Sequence, residues 1–265
     1  MKNIEVKVLD CHRDPGGMMR FLAKLTQRGH SIKGMADLEA LLDSSANPSD
    51  NYITTMMRLD NHGTIKRFTP ITVAIVGASR RFLAQARTNQ VGMNYVSASL
   101  QYSNYGNEAD FVVPYALTEV DNREGNNNAT ELYIRSCQNS MEAYRNIAAI
   151  TDNDTAGYAA PQGLRNILIM QGNYESWLHF IRIRTCNRNT NETQYVALRI
   201  WEELLKTPDG EAFFKYAGPD CMFGACREGK LCCGKSMKKC LYSTPTQIIK
   251  DKWPLLCDHT DDDGR

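Results

Sequence analysis

From Ser79 to Tyr105 the chain is dense in side chains that hydrogen-bond without carrying charge. Asn89, Gln90, Asn94, Ser97, Ser99, Gln101, Ser103 and Asn104 fall there, with Tyr95, Tyr102 and Tyr105 interleaved. A core could not satisfy so many polar groups without a ligand or a partner. The pattern predicts a lined pocket for a flat, polar ligand, with a polar turn beside an interface as the plainer alternative. Farther on, Asn173 and Arg184 stand eleven residues apart. At about 100° per residue that is three helical turns, which places both on one helix face. Such a pair could hold a phosphate or carboxylate, although the spacing alone fits an ordinary surface pair better. His179 falls on a different face beside Phe180 and, by itself, reads as a half-buried packing histidine. His62, in the segment NHGT, precedes a strand; a lone histidine there is a weak signal.

Other chemistries lack their residues. There is no Ser-His-Asp order, no Walker loop and no dinucleotide glycine fingerprint. The glycines at Gly16–Met18 and Gly218–Gly224 do not have the strand-turn-helix context such loops need. Nine cysteines are many, but Cys221, Cys226, Cys232, Cys233 and Cys240 crowd into one stretch. Their spacings do not form the two CxxC-like hooks of structural zinc, and an iron–sulfur site fits less well still. A compact, glycine-turned appendage with reduced thiols is the expectation, with no metal.

The elements that position these residues follow from periodicity and punctuation. NIEVKVLD alternates Ile4, Val6 and Val8 and predicts a strand; TPITVAIVG (Thr69–Gly77) predicts another, with Ile71, Val73 and Ile75 on one face. Ser79 is an N-cap for a short helix through Arg87. Met18–Gly29, with Gly29 as its stop, and Met35–Ser45 read as helices. Asp110–Leu117 suggests a short strand and Asp121–Asn128 a turn-rich loop. Leu132, Cys137, Met141, Tyr144, Ile147 and Ala148 predict a long amphipathic helix over Ala129–Ile150. Leu164–Gln171 reads as a buried segment, followed by helices over Gly172–Arg184 and Gln194–Lys206.

At 265 residues the chain can bury a sizeable core. A formal charge of +1 argues against binding a nucleic acid polymer by bulk field. No apolar run approaches the roughly 20 residues of a membrane helix, so a soluble, cytoplasmic protein is expected.

In four places, in the right order, the sequence resembles the flavin-dependent thymidylate synthases. NHGT (Asn61–Thr64) is similar to a histidine-plus-threonine segment that touches flavin. Ser99-Leu100-Gln101-Tyr102 looks like the Ser-x-Arg-Tyr ending of that family's central motif, in which Arg-His-Arg is followed seven residues later by Ser. NYESWLHFIRIR is similar to the segment that ends in a nucleotide-binding arginine, and KYAGPDCMFGACREGKLCCGK to a Cys-rich extension of some members. The departures are specific. Counted back from Ser99, the Arg-His-Arg falls on Asn89-Gln90-Val91; the family's acidic residue is Ser97, its following Arg is Gln101, and a substrate arginine falls on Gly157. Arg80, Arg81 and Arg87 stand near enough to supply charge from shifted positions.

The resemblance implies an α+β fold: a twisted mixed or antiparallel sheet with flanking helices. It divides the chain into a synthase-like domain over 1–217 and a Cys-rich extension over 218–265. It implies reductive methylation of dUMP to dTMP with FAD, NADPH and methylenetetrahydrofolate, in a homotetramer whose sites are shared between subunits. No residue of the chain need act as nucleophile. His62, Thr64, Asn89, Gln90, Asn173 and His179 would serve flavin, and Ser97, Ser99, Gln101 and Arg184 the nucleotide. The missing arginines leave two alternatives open: action on another pyrimidine nucleotide, or a non-catalytic relative that keeps the fold.

Overall fold

The structure is a computed structural model describing residues 1–257 apart from Glu108 and Tyr242; the side chains of Asp60, Asn61, His62 and Lys239 also lie outside the described residues. The chain begins with β1 (Glu5–Asp10), then α1 (Pro15–Arg28), α2 (Met35–Asp43) and α3 (Asp50–Arg58). A 3-10 segment (Asp60–Arg67) leads into β2 (Ile71–Ser79), α4 (Arg80–Arg87) and β3 (Met93–Ser97). Helices α5 (Tyr115–Glu124), α6 (Asn128–Ile150) and α7 (Asn153–Ala156) follow, then β4 (Arg165–Gly172). The chain continues through α8 (Tyr174–Arg184), α9 (Asn191–Leu205), α10 (Gly210–Phe214) and α11 (Pro245–Lys252).

The four strands form one antiparallel sheet in the order β1-β2-β4-β3. Alternation divides its faces. Ile71, Val73 and Ile75 of β2 and Leu168 and Met170 of β4 are fully buried beneath a helical layer that includes α1, α8 and α9. Trp177 of α8 is fully buried in this core, and its indole donates to the carbonyl of Ile71 at 3.2 Å. The opposite face carries Val76, Ile167 and Val96, exposed by 43%, 45% and 69%. Val76 pairs with Ile167, and Val96 with Ile169 of the same strand. An α+β architecture, an antiparallel sheet with a helical layer on one face, is the expected class.

A smaller cluster buries Cys137, Met141 and Tyr144 of α6 against Leu100, Phe111 and Leu164. The predicted stripe of α6 holds except at Leu132, which is 70% exposed; Tyr133 and Ile134 pack instead, a shift of one or two positions around the helix. The strand expected over Asp110–Leu117 reduces to one bridge between Phe111 and Leu164. Pro114, extended at φ −59° and ψ 133°, then leads into α5. Proline has no N–H for a ladder and its fixed φ suits a helix entrance. The loop expected over Asp121–Asn128 shrinks accordingly, because α5 runs to Glu124.

Candidate active site

The site is organised around the C-terminal end of α4. Ser79 caps that helix, its hydroxyl accepting from the Phe82 N–H at 3.1 Å, as its position before the helix implies. Gly92, at φ 64°, then turns the chain into β3. A Cβ there would stand 2.3 Å from the Ser176 Oγ and 3.7 Å from the Asn173 Nδ2, so both backbone and space call for glycine. Gly92→Ala is therefore expected to destabilise the fold by at least about 1 kcal/mol and to weaken nucleotide binding, read by a thermal melt alongside a ligand titration.

Arg184, at the last turn of α8, reaches across to α4. Its Nη2 donates to the Gln85 carbonyl at 2.8 Å and to the Thr88 Oγ1 at 2.6 Å. Its Nε is buried without a partner. Burial pulls the guanidinium pKa down, while Tyr95 acts in the opposite direction. Asn89 follows α4 and is 3% exposed; its carbonyl accepts from the Tyr95 hydroxyl, and its Nδ2 has no partner. The Tyr95 pKa is pushed up to about 12, chiefly by burial, so the phenol stays protonated and donates at neutral pH. Two buried donors left unsatisfied in one place are costly in a finished core. They are the arrangement a ligand oxygen would complete.

Arg87 and Arg80 add charge on the same helix. Arg87 donates to the Ser97 hydroxyl on β3. Arg80 is half-buried; burial and then the Arg87 charge lower its pKa, and Tyr105 raises it. Among the described residues, none of Arg80, Arg87 and Arg184 has a carboxylate partner. Two guanidiniums, Arg87 through Ser97 and Arg184 beside Tyr95, thus face β3 without a carboxylate partner among the described residues. Arg80 adds a third charge at the start of α4 near Tyr105. The pairing of Arg87 with Ser97 also bears on register. Ten positions separate them, the spacing of the first arginine and the serine in the Arg-His-Arg motif. Counting from Ser97 instead of Ser99 places that arginine on Arg87.

The expected site residues divide into groups. Arg184, Asn89 and Ser97 lie around α4 and β3. Asn173 is near them as the N-cap of α8, not a residue of its body: its Oδ1 accepts from the N–H and hydroxyl of Ser176, each at 3.0 Å. Gln90 is exposed in the turn before β3. Ser99 and Gln101 lie beyond β3, where the Ser99 hydroxyl accepts from the Gln101 N–H at 3.1 Å. His179 sits on the other side of α8, its Nδ1 3.0 Å from the Arg182 Nη2. Burial, then the charges of Arg182 and Arg184, lower its pKa and favour the neutral imidazole. Thr64 is exposed in the 3-10 segment, lining a separate groove with Arg20, Gln27 and Tyr52. The His62 side chain lies outside the described residues. Tyr95 enters the sequence pattern only as one of the tyrosines interleaved in the polar stretch, with no role of its own, although alternation places it on one face with Met93 and Ser97.

The profile of the thymidylate synthase complementing protein family matches residues 7–207. The chain belongs to this family. A flavin-dependent thymidylate synthase from Clostridium tetani is 25% identical over 255 residues, covering 89% of this chain and 96% of the relative. One from Thermococcus onnurineus is 27% identical over 176 residues, covering 64% and 69%. Among solved structures, a UMP/dUMP methylase from Streptomyces cacaoi bound with 5-Br dUMP aligns with TM-score 0.61 and 14% identity, over 82% of this chain and 97% of the other. A thymidylate synthase X from Helicobacter pylori with FAD and dUMP aligns at 0.55 and 16%, over 79% and 96%. These likenesses bear out the recognition and the fold, and membership in the family bears out the expectation of an enzyme. Among the described residues no helix is long and apolar enough to cross a membrane.

Proposed function

We propose that the chain carries out flavin-dependent methylation of a pyrimidine nucleoside monophosphate, with dUMP as substrate and methylenetetrahydrofolate and NADPH as co-substrates. The observation that carries this reading is the pair Arg87 and Arg184 beside β3, with Arg80 on the same helix as Arg87, all without carboxylate partners among the described residues, together with the unsatisfied donors Arg184 Nε and Asn89 Nδ2. Guanidinium forks match phosphate geometry, and neutral donors and acceptors suit a pyrimidine edge. Arg184 and Arg87 would take the phosphate. Ser97, Ser99 and Gln101 would orient the sugar and base. Bound FAD would supply the hydride. Asn89, Gln90, Asn173, the more distant Thr64 and His179, and His62, whose side chain lies outside the described residues, are the residues we assign to holding it. The work of these side chains is orientation and exclusion of water, with Tyr95 fixing the Asn89 backbone.

Separation of His179 from Arg184 across α8 fits sites completed by neighbouring subunits. The exposed apolar band of Val76, Ile167 and Val96 on the helix-free sheet face fits burial between copies. Light scattering is expected to show a tetramer; a monomer at micromolar concentration would contradict shared sites. One observation favours a second substrate. In the register that sets Arg87 and Ser97 on the motif's first arginine and serine, the acidic position, two before the serine, falls on Tyr95. This neutral phenol donates to the Asn89 carbonyl, which alters how the sugar and base are held. Incubation with FAD, both co-substrates and either dUMP or UMP tests this. Formation of dTMP supports the first reading, a 5-methyl ribonucleotide alone supports the second, and no methylated product from either counts against both.

A further inference from the structure

We propose that the groove on the face of α8 opposite Arg184 takes the nucleoside diphosphate half of a dinucleotide, and that the segment following the family match forms its outer wall. The groove encloses about 750 Å³, within the range of small-molecule sites. Arg58 of α3 and His179 and Arg182 of α8 line its inner side; Tyr216, Phe223 and Arg227 line its outer side. The outer residues all lie beyond residue 207, where the family match ends.

Charge and ring chemistry point to one ligand class. The Arg58 guanidinium lies 5.0 Å from the centroid of the Tyr216 ring. Tyr216 meets Phe223 edge-on, with centroids 6.0 Å apart, and these rings remain 44% and 42% exposed. Arg182 is bonded to His179. Both groove carboxylates are already engaged: Glu175 with Arg67 at 2.7 Å and Asp220 with Arg227 at 3.6 Å. The Lys66 ammonium donates to the carbonyls of Met57 and Leu59 at 3.0 and 2.7 Å. Arg58 and Arg182 therefore have no carboxylate partner among the described residues. Two guanidiniums suit a diphosphate, and two accessible aromatic rings suit a base.

The Gly218-Pro219 turn holds this wall in place. Gly218 takes φ 125°, and a Cβ there would meet the Met222 sulfur at 2.5 Å. Met222 is 1% exposed and packs into the main core, so the wall is fixed to the sheet layer and not merely draped over it.

The assignment rests on the reading of the chain as a user of FAD and NADPH, which share an adenosine diphosphate moiety. ADP is the probe. Calorimetric titration of flavin-free protein is expected to show ADP binding that Arg58→Gln and Arg182→Gln each weaken by about tenfold or more. Tyr216→Leu should weaken it without altering charge. Thermal melts without ligand verify that each variant is folded. Displacement of ADP by FAD assigns the groove to the flavin; displacement by NADPH from flavin-loaded protein assigns it to the reductant. No ADP binding at millimolar concentration, equal binding by the Arg58→Gln/Arg182→Gln double variant, or ADP that neither dinucleotide displaces would overturn the proposal. A dUMP titration separates the two readings: ADP behaving as expected without dUMP binding removes the proposed reaction and leaves the groove.

Discussion

Arg184→Gln is expected to lower kcat/KM for the nucleotide by roughly 10- to 150-fold, the equivalent of about 1.5–3 kcal/mol for a hydrogen bond to a charged group. The side chain fixes α8 to α4 through the Gln85 carbonyl and Thr88, leaving its Nε for a ligand. Two effects therefore combine. Phosphate binding loses a charged donor, the free Nε, and the end of α4 that carries Arg87 loses an anchor. Arg184→Lys separates them: it keeps the charge but not the planar fork, and should recover only part of the loss. Steady-state kinetics over a range of dUMP, with a denaturation curve for each variant, measures both. Unchanged kcat/KM in a folded Arg184→Gln protein would remove this residue from the site.

Trp177→Ala has the largest expected effect on stability. The indole is fully buried, stands edge-on to Phe180 with centroids 5.9 Å apart, and donates to the Ile71 carbonyl of β2. Removing it deletes packing between α8 and the sheet and strands a buried acceptor. The cost is about 3–5 kcal/mol, against total stabilities of about 5–15 kcal/mol for folded proteins. Denaturant midpoints should shift accordingly. Because α8 carries both Arg184 and His179, residual activity in the folded fraction should also fall.

Much of this architecture is local and so could be read from the chain. Ser79 marks the start of α4, and the alternation of Ile71, Val73 and Ile75 gives β2 together with its buried face. Asn173 shows where local reading stops. Its spacing from Arg184 is helical, but as the N-cap it spends its carbonyl oxygen on Ser176. Leu132 was legible as part of a stripe, yet which side of α6 is buried depends on Phe111 and Leu164, distant in sequence. The bond from Arg184 to Gln85 joins residues 99 apart, and no periodicity encodes it. Arg87 was visible as a nearby cation; its pairing with Ser97 required the turn at Gly92 to bring β3 back along α4. The cysteine-rich segment misdirects in a similar way. Its thiols draw notice, whereas Met222, Met237 and Trp253 tie this region to the main core.

The most direct test of the central claim is the visible absorption spectrum of the purified protein after incubation with FAD and gel filtration, recorded during a titration with dUMP. Retained flavin bands that shift on addition of dUMP are the predicted result, since the nucleotide is to lie against the flavin. Protein that retains no flavin would contradict the account, whatever the fold.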